Sequence, residues 1–230
     1  KNVFVLRNTS RPGAIMFAPY QTFSAGTSPS GIVVGDLDKD GKLDIAVSNR
    51  DFNNVLIFKN KSSIGHIRLK AQSPLTTGTN ASSIAIADFD GDTRLDLAVV
   101  NSLNTASVFL NTSSVGTIHF ALRVDFSVGS GSLLRGIAIG DTDGDGKPDL
   151  VTGHQNTTTS IYVLRNTSTG PGGITFASAA AISTVGYYPY GGICLGDFNG
   201  DGKLDMATSN QGNNNGVSVY LNTAIVGTLN

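Results

Sequence analysis

The sequence predicts an all-β fold made of repeated four-stranded units, and three observations carry the prediction. A nine-residue acidic loop recurs four times, apolar residues alternate with period two, and no window sustains the i, i+3, i+4, i+7 spacing of a helix. The loops are DLDKDGKLD from Asp36, DFDGDTRLD from Asp88, DTDGDGKPD from Asp141 and DFNGDGKLD from Asp197, spaced 52, 53 and 56 residues apart. A near-constant period of this size marks a repeat architecture.

Each unit reads in the same order. A short apolar run of small residues leads into the first Asp: SGIVVGD (Ser30 to Asp36), SSIAIAD (Ser82 to Asp88), RGIAIGD (Arg135 to Asp141) and GGICLGD (Gly191 to Asp197). After the loop comes a second strand, LDIAVSN, LDLAVVN, PDLVTGH or LDMATSN, so the loop closes a hairpin bounded by Gly and Asp. A third strand follows a Gly/Asn-rich turn (NVLIFKN, ASVFLN, SIYVLRN, GVSVYLN), and a more variable fourth is the outermost (HIRLKAQSPL, TIHFALRVDF, GITFASAAAI).

Four strands per repeat, with a first strand small enough to crowd around an axis at Gly35, Ala87, Gly140 and Gly196, describe the blade of a β-propeller. The chain opens part-way through a blade, because NVFVLRN matches a third strand and AIMFAPYQTF a fourth. Blades are therefore expected at 1–29 (third and fourth strands only), 30–81, 82–134, 135–190 and 191–230 (incomplete), within one domain of residues 1–230. Two closures follow: a four-bladed ring completed by the opening fourth strand, or an incomplete ring that is a segment of a larger one or a half that pairs with another chain.

Composition narrows the function classes. A net charge of −1 gives no reason to expect nucleic acid as partner. No apolar run approaches the ~18 residues of a membrane span, so membrane insertion is not expected. The opening KNVFVLRN does not read as a secretory leader, and the expectation is a mature or excised segment. Abundant Gly, Ser, Thr and Asn fits an extracellular β protein, secreted or on the cell surface. A single cysteine, Cys194, excludes an intrachain disulfide and is expected to be a small buried hydrophobe.

Glycosylation sequons stand at Asn8, Asn60, Asn80, Asn111, Asn156 and Asn166. Four of them, Asn8, Asn60, Asn111 and Asn166, share one repeat position, which favours a turn over a glycan acceptor.

The charge balance conceals a concentration of carboxylates. The chain has no Glu, and 15 of its 17 acidic residues lie in the four loops. Oxygen donors at positions one, three, five and nine, with the position-seven carbonyl, suit Ca²⁺, which takes six to eight such ligands at ~2.3–2.6 Å. The candidate ligands are Asp36, Asp38, Asp40, the Lys42 carbonyl and Asp44; Asp88, Asp90, Asp92, the Arg94 carbonyl and Asp96; Asp141, Asp143, Asp145, the Lys147 carbonyl and Asp149; and Asp197, Asn199, Asp201, the Lys203 carbonyl and Asp205.

Up to four Ca²⁺ ions are expected, one per loop. Asn199 trades a charge for a neutral oxygen, which should weaken binding modestly, and Thr93 replaces a position-six Gly that is free to take positive φ, so the second site is expected to be distorted or the weakest of the four. An EF-hand is excluded, because position twelve is Val47, Val99, Thr152 or Thr208 instead of Glu. Catalysis by carboxylate pairs is disfavoured, because it needs two acids in unlike environments and these loops are alike by repetition.

The stretch GDLDKDGKLDIAVSN with its companion NVLIFKN resembles the FG-GAP or VCBS-type repeat of integrin α-subunit heads, of bacterial surface and secreted proteins and of some lectins. YGGICLGDF, from Tyr190, is the nearest match to the family's cage sequence. The resemblance implies a β-propeller with Ca²⁺ in the loops between first and second strands, often of seven blades. It implies a non-catalytic adhesion or protein-interaction module whose partner is a protein or glycan. The alternatives are a carbohydrate-binding lectin or the non-catalytic propeller of a polysaccharide-degrading enzyme. Tyr187, Tyr188 and Tyr190 form the best aromatic cluster for sugar stacking, but it occurs once, so packing is the preferred role. His66, His119 and His154 show neither metal-ligand nor triad spacing.

Overall fold

The computed structural model describes residues 1–130, 132–155, 159–184, 188–211 and 216–225. All regular structure among them is β, arranged as five antiparallel sheets in chain order. The first is a pair, β1 (Asn2–Val5) with β2 (Gln21–Ser24). The second contains β3 (Pro29–Gly35), β4 (Asp44–Asn49), β5 (Asn54–Asn60) and two short outer strands, β6 (Leu69–Ala71) and β7 (Leu75–Thr76), both paired with β5.

The third sheet is β8 (Ser83–Ala87), β9 (Asp96–Asn101), β10 (Thr105–Phe109) and β11 (Val124–Ser127). The fourth is β12 (Ser132–Gly140), β13 (Asp149–Gln155), β14 (Thr159–Leu164) and β15 (Ala180–Ser183). A triplet, β16 (Tyr188–Gly196), β17 (Asp205–Gln211) and β18 (Gly216–Tyr220), is the last. Each sheet runs in simple up-and-down order, the blade topology of a propeller.

Strand alternation places one apolar row on each neighbouring sheet. In β4, Ile45 and Val47 face back to Val3 and Ala25 of the opening pair, while Ala46 faces forward into the cluster with Leu97, Val99 and Phe109. That is why β4 and β9 are buried along their whole length: each is covered on both faces. The same hand-over joins the third sheet to the fourth through Phe89, Ala98 and Leu150, and the fourth to the fifth through Val151, Val163 and Met206.

All four acidic loops are closed by the same register, with Gly35 opposite Asp44, Ala87 opposite Asp96, Gly140 opposite Asp149 and Gly196 opposite Asp205. The small residues at these points serve the stacking of sheets. A Cβ on Gly35 would lie 2.7 Å from Ile86 Cδ1 and 2.9 Å from Leu95 Cδ1, both from the next sheet, and one on Gly140 would lie 2.6 Å from Leu204 Cδ1. At Gly196 the nearest atom is Phe198 Cε1 of its own loop, 3.6 Å away. Gly35→Ala is therefore expected to cost about 1–3 kcal/mol by overpacking, and Gly196→Ala distinctly less. Thermal melting of the two variants checks this, at roughly 2–4 °C per kcal/mol for a chain of this length.

The row of sheets is open among the described residues. β2 pairs with β1 and not with β18, so the opening strand does not complete the last blade. Cys194 corrects the expectation of burial: it is exposed, because its side of β16 faces onward, where Val33 of β3 meets the following sheet.

Candidate metal centre

The loops are built by their own carboxylates. The first Asp of each accepts backbone N–H groups from across the turn: Asp36 from Asp40 and Gly41, Asp88 from Gly91, Asp92 and Thr93, Asp141 from Gly144, Asp145 and Gly146, and Asp197 from Gly200, Asp201 and Gly202. Turning the backbone onto one carboxylate requires left-handed residues at positions four and six. Position six holds Gly41 (φ 83), Thr93 (φ 71), Gly146 (φ 85) and Gly202 (φ 83), and position four holds Lys39 (φ 54), Gly91 (φ 75), Gly144 (φ 75) and Gly200 (φ 82).

Thr93 thus adopts the glycine conformation and bears the steric cost of a β-branched side chain there. Thr93→Gly is expected to raise stability by about 1 kcal/mol or more, read as an upward melting shift. Lys39, which carries a smaller strain of the same kind, was not legible from the motif.

The position-five Asp organises the second half of the loop. Asp40, Asp92, Asp145 and Asp201 accept the backbone N–H groups of Lys42, Arg94, Lys147 and Lys203 at 2.7–3.1 Å, which fixes the position-seven residues in the turn. The position-nine Asp ties the loop to the sheet. Asp96 Oδ2 accepts from Phe89 N (2.9 Å) and Oδ1 from Asn111 N (2.7 Å). Asp44, Asp149 and Asp205 make the equivalent pairs with Leu37 and Asn60, Thr142 and Asn166, and Phe198 and Asn222. All four are fully buried.

Three of the four loops gather carboxylate oxygens around one point. Asp36, Asp38 and Asp40, then Asp88, Asp90 and Asp96, then Asp141, Asp143 and Asp149 each offer oxygens within 4.8 Å of one another. Asp38 Oδ1 and Asp143 Oδ2 are buried oxygens with no hydrogen-bond donor, which is costly unless a cation supplies the missing partner. Oxygen-only donors at this density are the chemistry of a hard divalent ion, so the residues fit Ca²⁺. The fourth loop has Asn199 in place of a carboxylate and is exposed from Asp197 to Asp201.

Protein cations partly neutralise the first three loops. Lys59, itself buried, pairs with Asp38 and lies 3.2 Å from Asp40, while Arg94 pairs with Asp92 and Arg165 approaches Asp143 at 3.7 Å. Lys59 and Arg165 share one repeat position, directly before the Asn that ends the third strand, and that alignment was the available signal for them.

Each of the first three loops is also capped by the following unit. Gly172 N donates to Asp90 Oδ2 at 2.6 Å, and Gly116 N to the Asp38 carbonyl at 3.1 Å. The side-chain amides of Asn111, Asn166 and Asn222 reach back to the carbonyls of Leu37, Phe89 and Thr142 in the preceding loop, at 2.7–2.9 Å. At the repeated sequon position Asn8, Asn60, Asn111 and Asn166 each accept, on Oδ1, the N–H two residues on, which is the expected turn. In Asn111 and Asn166 the Nδ2 that a glycan would need is buried and donates two hydrogen bonds, the second to Leu95 O or Pro148 O.

Burial pushes the Asp44, Asp96 and Asp149 carboxyls up, Asp96 to about 7, against the backbone donors that oppose it. Burial raises Asp143 as well. Exposed Asp197 moves down, chiefly because Gly202 N–H donates to it.

His154 is a buried residue whose Nε2 meets the Val128 carbonyl at 3.0 Å, and His119 Nδ1 meets the Thr112 hydroxyl at 2.6 Å, so both serve local packing. Asn156, Tyr187 and the side chains of Tyr188 and Tyr190 lie outside the described residues.

A family model described as FG-GAP-like repeat matches residues 36–99, 88–152 and 141–208. Each match starts at the first Asp of one loop and ends in the second strand of the next unit, so it spans one inter-sheet joint. No curated protein matches the chain.

Proposed function

We propose, from the premise that the chain belongs to the FG-GAP-like repeat family, that it is a non-catalytic extracellular β-propeller module whose loops bind Ca²⁺ and whose stacked blades present a surface for adhesion or protein interaction. The observation that carries the metal half is the threefold recurrence of carboxylate oxygens within 4.8 Å, two of the clusters containing a buried oxygen that no protein donor satisfies. The proposed ligands are the loop residues at positions one, three, five and nine, with the position-seven carbonyls of Lys42, Arg94, Lys147 and Lys203.

When bound, Ca²⁺ supplies positive charge at the turn; the chain's own residues do the rest. The first Asp shapes the turn, the position-nine Asp locks it to the third strand, and the next unit's Asn and Gly amides clamp it to the neighbouring blade. Metal binding and blade stacking therefore share residues, and a stiff row of blades holds the exposed loops at fixed spacing. Ions that bind only the folded chain stabilise it by mass action, about 2.7 kcal/mol per site at a hundredfold excess over Kd.

The test is binding of the immobilised, Ca²⁺-loaded chain to extracellular-matrix proteins and, in parallel, to a glycan array, each repeated after chelation. Metal-dependent protein binding supports the reading. Binding confined to glycans would replace it with a lectin, and retention of binding after chelation would break the link between metal and surface.

A further inference from the structure

One unbroken line of hydrogen bonds runs through all four acidic loops. It begins at Asp44, whose Oδ2 accepts from Leu37 N; the Leu37 carbonyl accepts from Asn111 Nδ2, and Asn111 N donates to Asp96 Oδ1 in the second loop. Asp96 Oδ2 then accepts from Phe89 N, the Phe89 carbonyl accepts from Asn166 Nδ2, and Asn166 N donates to Asp149 Oδ1 in the third loop. The same three bonds lead on through Thr142 and Asn222 to Asp205. Every bond in the line measures 2.7–3.0 Å. From Asp44 as far as Thr142, every residue on it is buried.

Both kinds of loop residue on this line belong to the metal site. The carboxylate is the position-nine ligand. The position-two peptide lies between the ligands at positions one and three, so holding the Leu37 carbonyl fixes the backbone between Asp36 and Asp38. The Asn that joins them is outside both loops and touches each. Asn111 is oriented from the second loop, by its N–H on Asp96 and by its side-chain amide on Leu95 O, and with that orientation set the same amide reaches Leu37 O of the first. Asn166 repeats the arrangement with Asp149, Pro148 O and Phe89 O.

We propose that Ca²⁺ binding is positively cooperative between neighbouring loops, with Asn111 coupling the first loop to the second and Asn166 coupling the second to the third. This rests on the Ca²⁺ reading above and adds a linkage between its sites. An ion in the second loop orders Asp96 and, through Asn111, the Leu37 peptide of the first loop. The first loop then meets its ion with part of the ordering already done, and a ligand that orders shared residues lowers the entropic cost of the next one. Such coupling is reciprocal. Its sign is diagnostic, because direct repulsion between dications in adjacent loops would make each ion weaken its neighbour, so positive coupling has to pass through the chain.

The test is addition of Ca²⁺ to the metal-stripped full chain, followed by nuclear magnetic resonance at two amides that each report one loop. These are Gly41 N–H, which donates to Asp36, and Gly146 N–H, which donates to Asp141. Asp90→Asn weakens the second loop and keeps an oxygen for Gly172 N. It is expected to raise the Ca²⁺ midpoints at both Gly41 and Gly146 by about tenfold. In an Asn111→Ala background Asp90→Asn should still shift Gly146 and no longer shift Gly41, and in an Asn166→Ala background the pattern should reverse. Midpoints that Asp90→Asn leaves unchanged or lowers in the otherwise wild-type chain overturn the proposal, a result that needs neither Asn variant to fold. A shift at Gly41 that survives Asn111→Ala also overturns it, by routing the coupling through another contact such as Lys39 Nζ on Thr93 Oγ1. If neither amide of the wild type responds to Ca²⁺, the calcium reading falls and the coupling with it, whereas independent binding at each loop removes the coupling alone.

Discussion

Asp96→Ala will lower stability by about 2–6 kcal/mol, because it removes the acceptor of two buried backbone donors at once. Asp96 Oδ2 satisfies Phe89 N and Oδ1 satisfies Asn111 N, and all three residues are buried. Asn111 in turn holds the preceding loop through Leu37 O, so the loss propagates across the joint. Asp149→Ala should cost as much, since Asp149 also accepts the Thr142 hydroxyl at 2.5 Å. Asp125→Ala is the comparison: it loses the half-exposed Arg123 and one neutral donor, the Ser107 hydroxyl at 2.6 Å, but no backbone N–H, and is expected to cost about 1–2 kcal/mol. Chemical denaturation of the three variants checks the order, and equal losses at Asp96 and Asp125 would refute it.

The metal-free chain will lose stability as pH rises toward neutrality, and the Ca²⁺-loaded chain will not. In the metal-free chain Asp96 titrates near 7, against 3.8 when unfolded, so the folded state holds its proton more tightly. Stability from this group is complete below about pH 4 and is lost as pH rises to about 7, on the order of 2–4 kcal/mol. Asp44 and Asp149 are raised by the same burial and add to the slope with the same sign. A bound dication holds the carboxylates ionised in the folded state, so the loaded chain should keep its stability across the same window. The check is melting of dialysed, metal-free protein and of protein in excess Ca²⁺ at pH 5 and pH 7.5. Parallel slopes in the two sets would refute the assignment of these carboxylates to a metal site.

The repeat made much of this fold legible. Alternation in LDIAVSN and its copies predicts strands, found as β4 and β9; their burial throughout comes from sheets stacked on both faces, which period two does not encode. The loop motif locates the carboxylates, because Asp at positions one, three and five with Gly at six encodes a turn before any tertiary contact forms.

Residues that act between units were not legible from one unit alone. Lys59 reads as a strand-end cation and is a buried counter-charge for Asp38 and Asp40; Asn111 reads as a sequon and is a clamp on Leu37 O. Position nine was read only as a metal ligand, whereas its two oxygens also hold the loop to the third strand. Cys194 was misread because its burial depends on a following sheet, which strand context does not reveal.

Calcium counted per chain is the most direct test of the central claim. Protein stripped of metal, equilibrated with Ca²⁺ in the micromolar range and freed of unbound ion should retain three ions, in the loops that begin at Asp36, Asp88 and Asp141. A fourth should appear only at higher concentration, in the exposed loop with Asn199. Retention of none, or retention unchanged when Asp38, Asp90 and Asp143 are all replaced by Asn, would contradict the account.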